Sequence, residues 1–345
     1  MNPKKTGFAL IGAGIFGQHH AQAYGRHWAV DFVSVCDLDG ERAHEIAQLH
    51  GARMSTTDYT ELLENPDIEA ISIATPDHLH REIAVACAKA GKHLLIEKPL
   101  ATTVEDTQAI LDTANASGIK LMVDFHNRVN PAMVNAREAI RRGHIGRPAY
   151  IYSRLSNTTM VSTDMLRWAS ESSALWFLAS HMIDIVCWIL EDKVHKVYAV
   201  SREGILRDLG VKAPDFHVAT IEFCNGAVAV FENAWILPRS HATVKDLKLE
   251  ILGSEGALYV DASHNRALEI YSENKATYPD LLAPPTGNHL TGFVLDSIAY
   301  FVDSVTQNTP VLATGEDGLT VTKIICAILD SAERGEPVFL DKVDM

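Results

Sequence analysis

Apolar and polar positions follow two different rhythms along this chain, and the change comes near residue 125. In the first stretch, short apolar runs at 8–11, 32–36, 68–74, 93–97 and 120–124 alternate with segments whose apolar residues recur at helical spacing. Ala43, Ile46, Ala47 and Leu49 are one such set. A further short strand is predicted at 53–55, then a helix from Asp58 that stops at Asn65-Pro66, where proline cannot continue it. Gly91 and Gly118 stand where helices end, and Thr102-x-x-Glu105 reads as a capping box. Six strands alternating with helices predict a doubly wound parallel sheet, with any ligand outside the carboxyl ends of its strands.

Beyond residue 125 strands follow one another with few helices between them. A helix at 131–142 and a strand at 147–156 lead to the most apolar helix of the chain, 173–190. Strand patterns then fall at 194–201, 216–224, 227–235, 247–252, 257–260 and 267–271. Asn225-Gly226 is a two-residue hairpin signal, and Ser254-Glu255-Gly256 turns another pair. A surface loop at 279–285 and two helices, about 289–306 and 316–333, complete the pattern. The expected domains are therefore 1–125, α/β with a parallel sheet, and 126–345, α+β with a largely antiparallel open sheet.

The run into Gly12-Ala13-Gly14-Ile15-Phe16-Gly17 gives the first domain its chemistry. A strand enters, glycines make a tight turn, and a helix begins, which is the order of a Rossmann dinucleotide site. Gly12 allows the turn, Gly14 lets backbone N–H groups reach a pyrophosphate, and Gly17 lets the helix pack on its strand. Asp37 ends the next strand at the distance where a carboxylate accepts the adenosine ribose hydroxyls. That carboxylate would repel a 2′-phosphate, and residue 38 is Leu rather than Arg, so NAD is expected over NADP.

Composition narrows the partners. A net charge of −14 offers no basic face for nucleic acid or an anionic membrane, so small molecules are expected. Five cysteines without a C-x-x-C pair fit free thiols in a reducing, cytoplasmic setting. The N-terminal apolar run is broken at once by glycines, unlike a signal peptide, and no apolar segment reaches the roughly 20 residues of a membrane span. His19-His20 and His78-x-His80 have spacings a metal could use, but no cysteine or carboxylate cluster accompanies them in the sequence, so no metal is expected.

With Gly12-x-Gly14-x-x-Gly17, Thr75-Pro76, His80, Gly91-Lys92-His93, Glu97-Lys98-Pro99 and His181-x-x-Asp184 in this order, the chain resembles the Gfo/Idh/MocA oxidoreductases. Asn225-Gly226, Gly253-Ser254-Glu255-Gly256 and Glu316-Asp317-Gly318 extend the resemblance over nearly the whole chain. It implies hydride transfer between nicotinamide and a hydroxyl-bearing carbon of a sugar, polyol or sugar derivative. Lys98, directly after the fifth strand, then lies beside cofactor and substrate. There it accepts the proton that leaves the alcohol or donates a hydrogen bond to the substrate oxygen, with its pKa lowered by an apolar pocket. The resemblance makes His181 the second acid/base and gives cofactor contacts to Gly12, Gly14, Ile15, Phe16, Gly17, Asp37, Thr75, Pro76, His80, Glu97, Lys98 and Asn127. Arg154, Arg167 and Arg239 are candidates for recognising an acidic or phosphorylated substrate. The family commonly carries an aspartate four residues before the helix histidine; this chain has Phe177, which points either to a different specificity or to a slightly different helix register with Phe177 in the core. Two other functions stay open at this point, a glycoside hydrolase that retains its NAD and a non-catalytic dinucleotide sensor. The resemblance also implies a homodimer or homotetramer built through the second domain's sheet.

Overall fold

The computed structural model describes residues 5–264, 270–271, 276–277, 285–286 and 289–340. Strands β1 (Thr6–Ile11), β2 (Val30–Cys36), β3 (Met54–Thr56), β4 (Ala70–Ile73), β5 (His93–Ile96) and β6 (Leu121–Val123) form one sheet in the order β3-β2-β1-β4-β5-β6. Every pair in it is parallel. Helices α1 (Ile15–Arg26), α2 (Gly40–His50), α3 (Thr60–Glu64), α4 (His80–Lys89) and α5 (Val104–Ala116) make the crossovers. β1 and β4 are neighbours although the chain runs outward from each in opposite directions, so the crevice of this doubly wound sheet opens at their carboxyl ends. The cap of α5 lies one residue further along than the expected box: Thr103 accepts from the Asp106 N–H at 3.1 Å.

The second sheet joins β7 (Pro148–Asn157), β8 (Val194–Arg202), β9 (Phe216–Phe223), β10 (Val228–Ala234), β11 (Lys245–Gly253), β12 (Ala257–Asp261) and a short strand Val338–Phe339. Its order is β12-β11-β7-β10-β9-β8 followed by Val338–Phe339, and only β7 and β10 run parallel. Alternate residues of β9 and β10 are buried, the period expected when one sheet face packs on helices. Helices α6 (Pro131–Arg141) and α7 (Ser180–Leu190) belong to this unit. The stretch before α7, Leu175–Ala179, is π-helical rather than a continuation of one α-helix.

The compact units are Met1–Val129 with Pro285–Thr322, and Asn130–Pro284 with Lys323–Met345. This differs from a single cut at residue 125. Ile298, Phe301 and Val302 of helix Phe293–Thr306 pack into the same core as Phe8, Tyr24, Leu95 and Met122. Arg128 binds the Leu312 carbonyl and both oxygens of Asp317, so the Glu316-Asp317-Gly318 motif ties the late segment to the first unit. A Cβ on Gly318 would lie 3.0 Å from Leu100 and Val123, which explains the glycine there. Of the expected strand at 267–271, residues 267–269 lie outside the described residues; Ile270–Tyr271 pairs with Ala276–Thr277. The expected loop at 279–285 also lies outside them except for its last residue.

Candidate active site

The glycine turn is shaped by backbone against backbone. Gly12 has φ 94°, and a Cβ there would lie 2.6 Å from the Ala74 carbonyl oxygen, at the end of β4. A Cβ on Gly17 would lie 1.9 Å from the Gly12 oxygen. Gly14 is different: its φ of −69° suits any residue, and no protein atom comes within 4 Å of the position its Cβ would take. Nothing in the folded chain requires a glycine there. Gly14 is also the N-cap of α1 and offers no side-chain cap, and the first turn holds no acid, so the N–H groups at Ile15 and Phe16 are left to an external anion. Space over Gly14 and uncapped N–H groups are what a pyrophosphate needs, so these residues fit the dinucleotide.

Asp37 is nearly buried, and its carboxylate accepts from the Ala13 N–H at 2.7 Å and the Asp39 N–H at 2.9 Å. It also takes two bonds from Arg42, at 3.2 and 2.5 Å. Burial alone would raise its pKa; these bonds and the guanidinium charge outweigh that and hold it below the usual carboxylate range. Sequence reasoning found the aspartate and missed the arginine. Leu38 is 89% exposed, and Arg42 arrives from α2 with the guanidinium that residue 38 lacks.

At the end of β5, Glu97 and Lys98 are both buried. The Lys98 Nζ lies 5.8 Å from the centroid of the Phe16 ring, within cation–π range. Burial lowers the Lys98 pKa, against the opposing charges of Glu97, Asp77 and Asp124. Glu97 stays ionised: burial pushes its pKa up, but the hydrogen bond and charge of His20, with Lys98 and His126, bring it below its ordinary value. The peptide before Pro99 is cis. His80 spans two loops, one ring nitrogen 2.9 Å from the Pro99 oxygen and the other 3.0 Å from the Thr75 oxygen. Burial lowers its pKa, with the Thr75 carbonyl and Asp77 opposing. It lies between the β4 and β5 ends, and as a neutral ring it donates to one of the two carbonyls at a time. Asn127 is buried in the turn after β6, beside His126, whose ring stacks at 16° to Phe16.

Behind Lys98 lies a cluster that the sequence did not announce. His20 is fully buried, one ring nitrogen 3.0 Å from Ser72 Oγ and the other 3.2 Å from Glu97 Oε1. Tyr24 bonds to the same serine, and Ser297 Oγ donates to Asp124 Oδ1 at 2.5 Å. Burial, then the Glu97 charge, pushes the Asp124 pKa up to about 7, with His20 opposing. Ligand-type atoms of His20, Glu97 and Asp124 lie within 4.8 Å of one another. Both ring nitrogens of His20 are already engaged, so the cluster reads as a hydrogen-bonded core rather than a metal centre. The sequence clue was available: His20 is one turn beyond Gly17 on α1, and Asp124 closes the sixth strand.

In the second unit His181 is buried on the first turn of α7. Phe177 does not stand one regular α-turn before it, because the π-helical stretch intervenes and shifts the register. Its half-buried ring lies 6.2 Å from the Trp168 centroid at 67° and 6.0 Å from that of Trp235. Arg154 is committed elsewhere. Its guanidinium binds Glu232 at 2.9 Å and Asp246 at 3.0 Å, on the face of β7 opposite the buried Ser153 and Leu155. The substrate contact expected of Arg154 therefore finds no support, since β7 alternation turns residue 154 to the other side. Arg239 pairs with exposed Asp164, and Arg167 is exposed on the same stretch.

Comparison with known proteins places these features. Residues 6–125 match the oxidoreductase family with an NAD-binding Rossmann fold, and residues 133–259 match the GFO/IDH/MocA C-terminal domain. Levoglucosan dehydrogenase from Pseudarthrobacter phenanthrenivorans is 30% identical over 375 aligned positions, covering 94% of this chain and 95% of the relative. Myo-inositol 2-dehydrogenase from Thermotoga maritima is 24% identical, covering 97% and 98%. A solved levoglucosan dehydrogenase in complex with NADH and L-sorbose is 27% identical, with a TM-score of 0.82 over 97% of this chain and 98% of that one. Among the described residues no helix is long and apolar enough to cross a membrane. With both domains matched and one relative aligned over nearly its full length, the chain belongs to the Gfo/Idh/MocA family of NAD-dependent oxidoreductases.

Proposed function

We propose that this protein is an NAD-dependent dehydrogenase or reductase of a sugar, polyol or sugar derivative, with Lys98 handling the proton at the reacting oxygen. The observation that carries the reading is Lys98 itself: buried at the carboxyl end of β5, beside Phe16 of the glycine turn, with its pKa lowered by burial. Bound NAD supplies the hydride acceptor or donor. Gly14 and the α1 N–H groups hold the pyrophosphate, Asp37 takes the adenosine ribose, and His80 sits between the Thr75 and Pro99 carbonyls. A lysine whose pKa burial lowers gives up its proton more readily than a free one, so it can accept the alcohol proton as hydride leaves carbon and return it in reduction. Glu97 beside it stays negative, which stabilises the ammonium once formed.

His181 is proposed as a second acid/base on the strength of the family resemblance and its position on α7. Phe177, between two tryptophan rings, supports a substrate that offers an apolar face at that end. The outer face of the second sheet supports self-association: Tyr150, Leu252, Tyr259 and Tyr198 are exposed on strands of that one sheet. Thermal-shift titration with the four nicotinamide cofactors, followed by NADH appearance against a panel of sugars, polyols and anhydrosugars, tests the reading. Stabilisation by NAD(H) with turnover on one substrate class is expected. Cofactor retained through purification with no net NADH formation on any alcohol would contradict it.

A further inference from the structure

The buried cluster behind Lys98 is built as a directed chain. His20, on α1, turns one ring nitrogen to Ser72 Oγ of β4 at 3.0 Å and the other to Glu97 Oε1, just beyond β5, at 3.2 Å. Tyr24 bonds to the same Ser72 oxygen. An ionised carboxylate only accepts, so in a neutral ring the nitrogen facing Glu97 carries the proton and the one facing Ser72 accepts. Tyr24 then donates to Ser72, Ser72 to His20 and His20 to Glu97, and a single tautomer satisfies every group. Asp124 lies against the same ring: its Oδ1 takes Ser297, while its Oδ2, 3.8 Å from His20 Nε2, has no hydrogen-bond partner among the described residues. Holding a carboxylate ionised in such a place costs more than apolar packing of the same volume. The residue that uses the charge is the next one, Lys98, whose ammonium the Glu97 charge favours against burial.

We propose that His20 is a positioning residue for Lys98: acting through Glu97, it holds that carboxylate ionised and in place as the lysine's buried counter-ion. The proposal rests on the reading of Lys98 as the group that takes the substrate proton. Without the His20 N–H, burial takes over at Glu97 and its carboxyl keeps a proton. Lys98 then loses the charge that raises its pKa and becomes a weaker base. Other titratable groups facing the cluster are His19 and Tyr24 from α1, Asp77 after β4, and Asp124 and His126 after β6.

The test reads Lys98 without any substrate. Full-length protein is trace-labelled with acetic anhydride from about pH 6 to pH 11, and acetylation at Lys98 is followed by peptide mass spectrometry, because only the free amine reacts. H20L removes the N–H that reaches Glu97, and H20Q returns a donor of similar reach. The Lys98 midpoint is expected to fall by about one pH unit or more in H20L and to stay within about 0.3 of wild type in H20Q. The same fall is expected when D124N is added to every protein, where residue 124 no longer titrates. NADH formation on the best alcohol of the panel should drop about tenfold or more in H20L and return to within about twofold of wild type in H20Q. A midpoint unchanged in H20L, displaced equally in H20L and H20Q, or displaced only with Asp124 present overturns the proposal. If H20L does not fold, H20N takes its place, since its shorter amide meets Ser72 and not Glu97, and the same outcomes decide. If the midpoint responds as expected but wild type oxidises no alcohol, the dehydrogenase reading has failed; if wild type turns over and the midpoint does not move, only the role of His20 has.

Discussion

At Gly12, Gly14 and Gly17 the backbone itself makes the site, whereas around Phe177 side chains from separate parts of the chain come together. In the first region each glycine answers a close approach that only main-chain geometry sets, two of them within the protein and one left open. In the second, Phe177 takes its surroundings from Trp168 and Trp235, which are distant from it or unpatterned in sequence. The difference separates what is forced by the fold from what is chosen for a substrate. It also says where substitutions should hurt folding and where they should hurt only binding.

The glycine turn offers the sharpest contrast. Gly17→Ala drives a methyl into the Gly12 carbonyl, so it should cost at least about 2 kcal/mol of stability by urea denaturation. Gly14→Ala meets no protein atom and should leave the unliganded protein within about 0.5 kcal/mol of wild type, while NAD⁺ affinity falls at least about tenfold. If both variants lose stability alike, Gly14 is structural and the space above it is not a cofactor cradle.

Next comes the aromatic cluster of the second unit. Phe177→Ala removes a half-buried ring held by two others and should cost about 1–2 kcal/mol, with KM for the best substrate rising more than kcat falls. An unchanged KM would confine Phe177 to packing.

Asp124 ties stability to pH in a direction that can be measured. Its folded pKa is raised to about 7, so the folded state keeps a proton that the unfolded chain gives up near pH 4. Its contribution is therefore complete below about pH 4 and declines as pH rises to about 7. Asp124→Asn, neutral throughout, should gain on wild type across that window in paired denaturation curves; Glu97, His20, Lys98 and Ser297 are the groups facing it. A constant difference between the two proteins from pH 4 to 8 would remove the assignment of the proton to Asp124. Arg154→Ala, in a half-buried ion-pair cluster, leaves Glu232 and Asp246 facing each other without their cation and should cost about 1–3 kcal/mol with turnover unchanged.

Much of the first unit was legible because its signals are local. Strand, glycine turn, helix start and Asp37 follow one another within a short span, and hydrophobic period alone separates the parallel strands from their crossovers. Arg42 was not legible beside Asp37 because it lies five residues on, where the chain enters α2 and returns a guanidinium from its first turn. The late helix Phe293–Thr306 read correctly as a helix, but an amphipathic pattern does not say which core receives it; Ile298 and Phe301 went to the first. The π-helical stretch before α7 was invisible for a related reason, since an all-apolar run fits α and π registers equally. Arg154 was a fair candidate by residue type and lost its place to strand alternation.

A buried lysine after β5 is proposed to move the substrate proton beside a separately built NAD cradle. Lys98→Met, compared with wild type for NAD⁺ affinity by calorimetry and for NADH formation on the best substrate, tests it most directly. The account predicts NAD⁺ affinity within a few-fold and kcat lower by about 10²–10⁴-fold. A variant that turns over within about tenfold of wild type would contradict it.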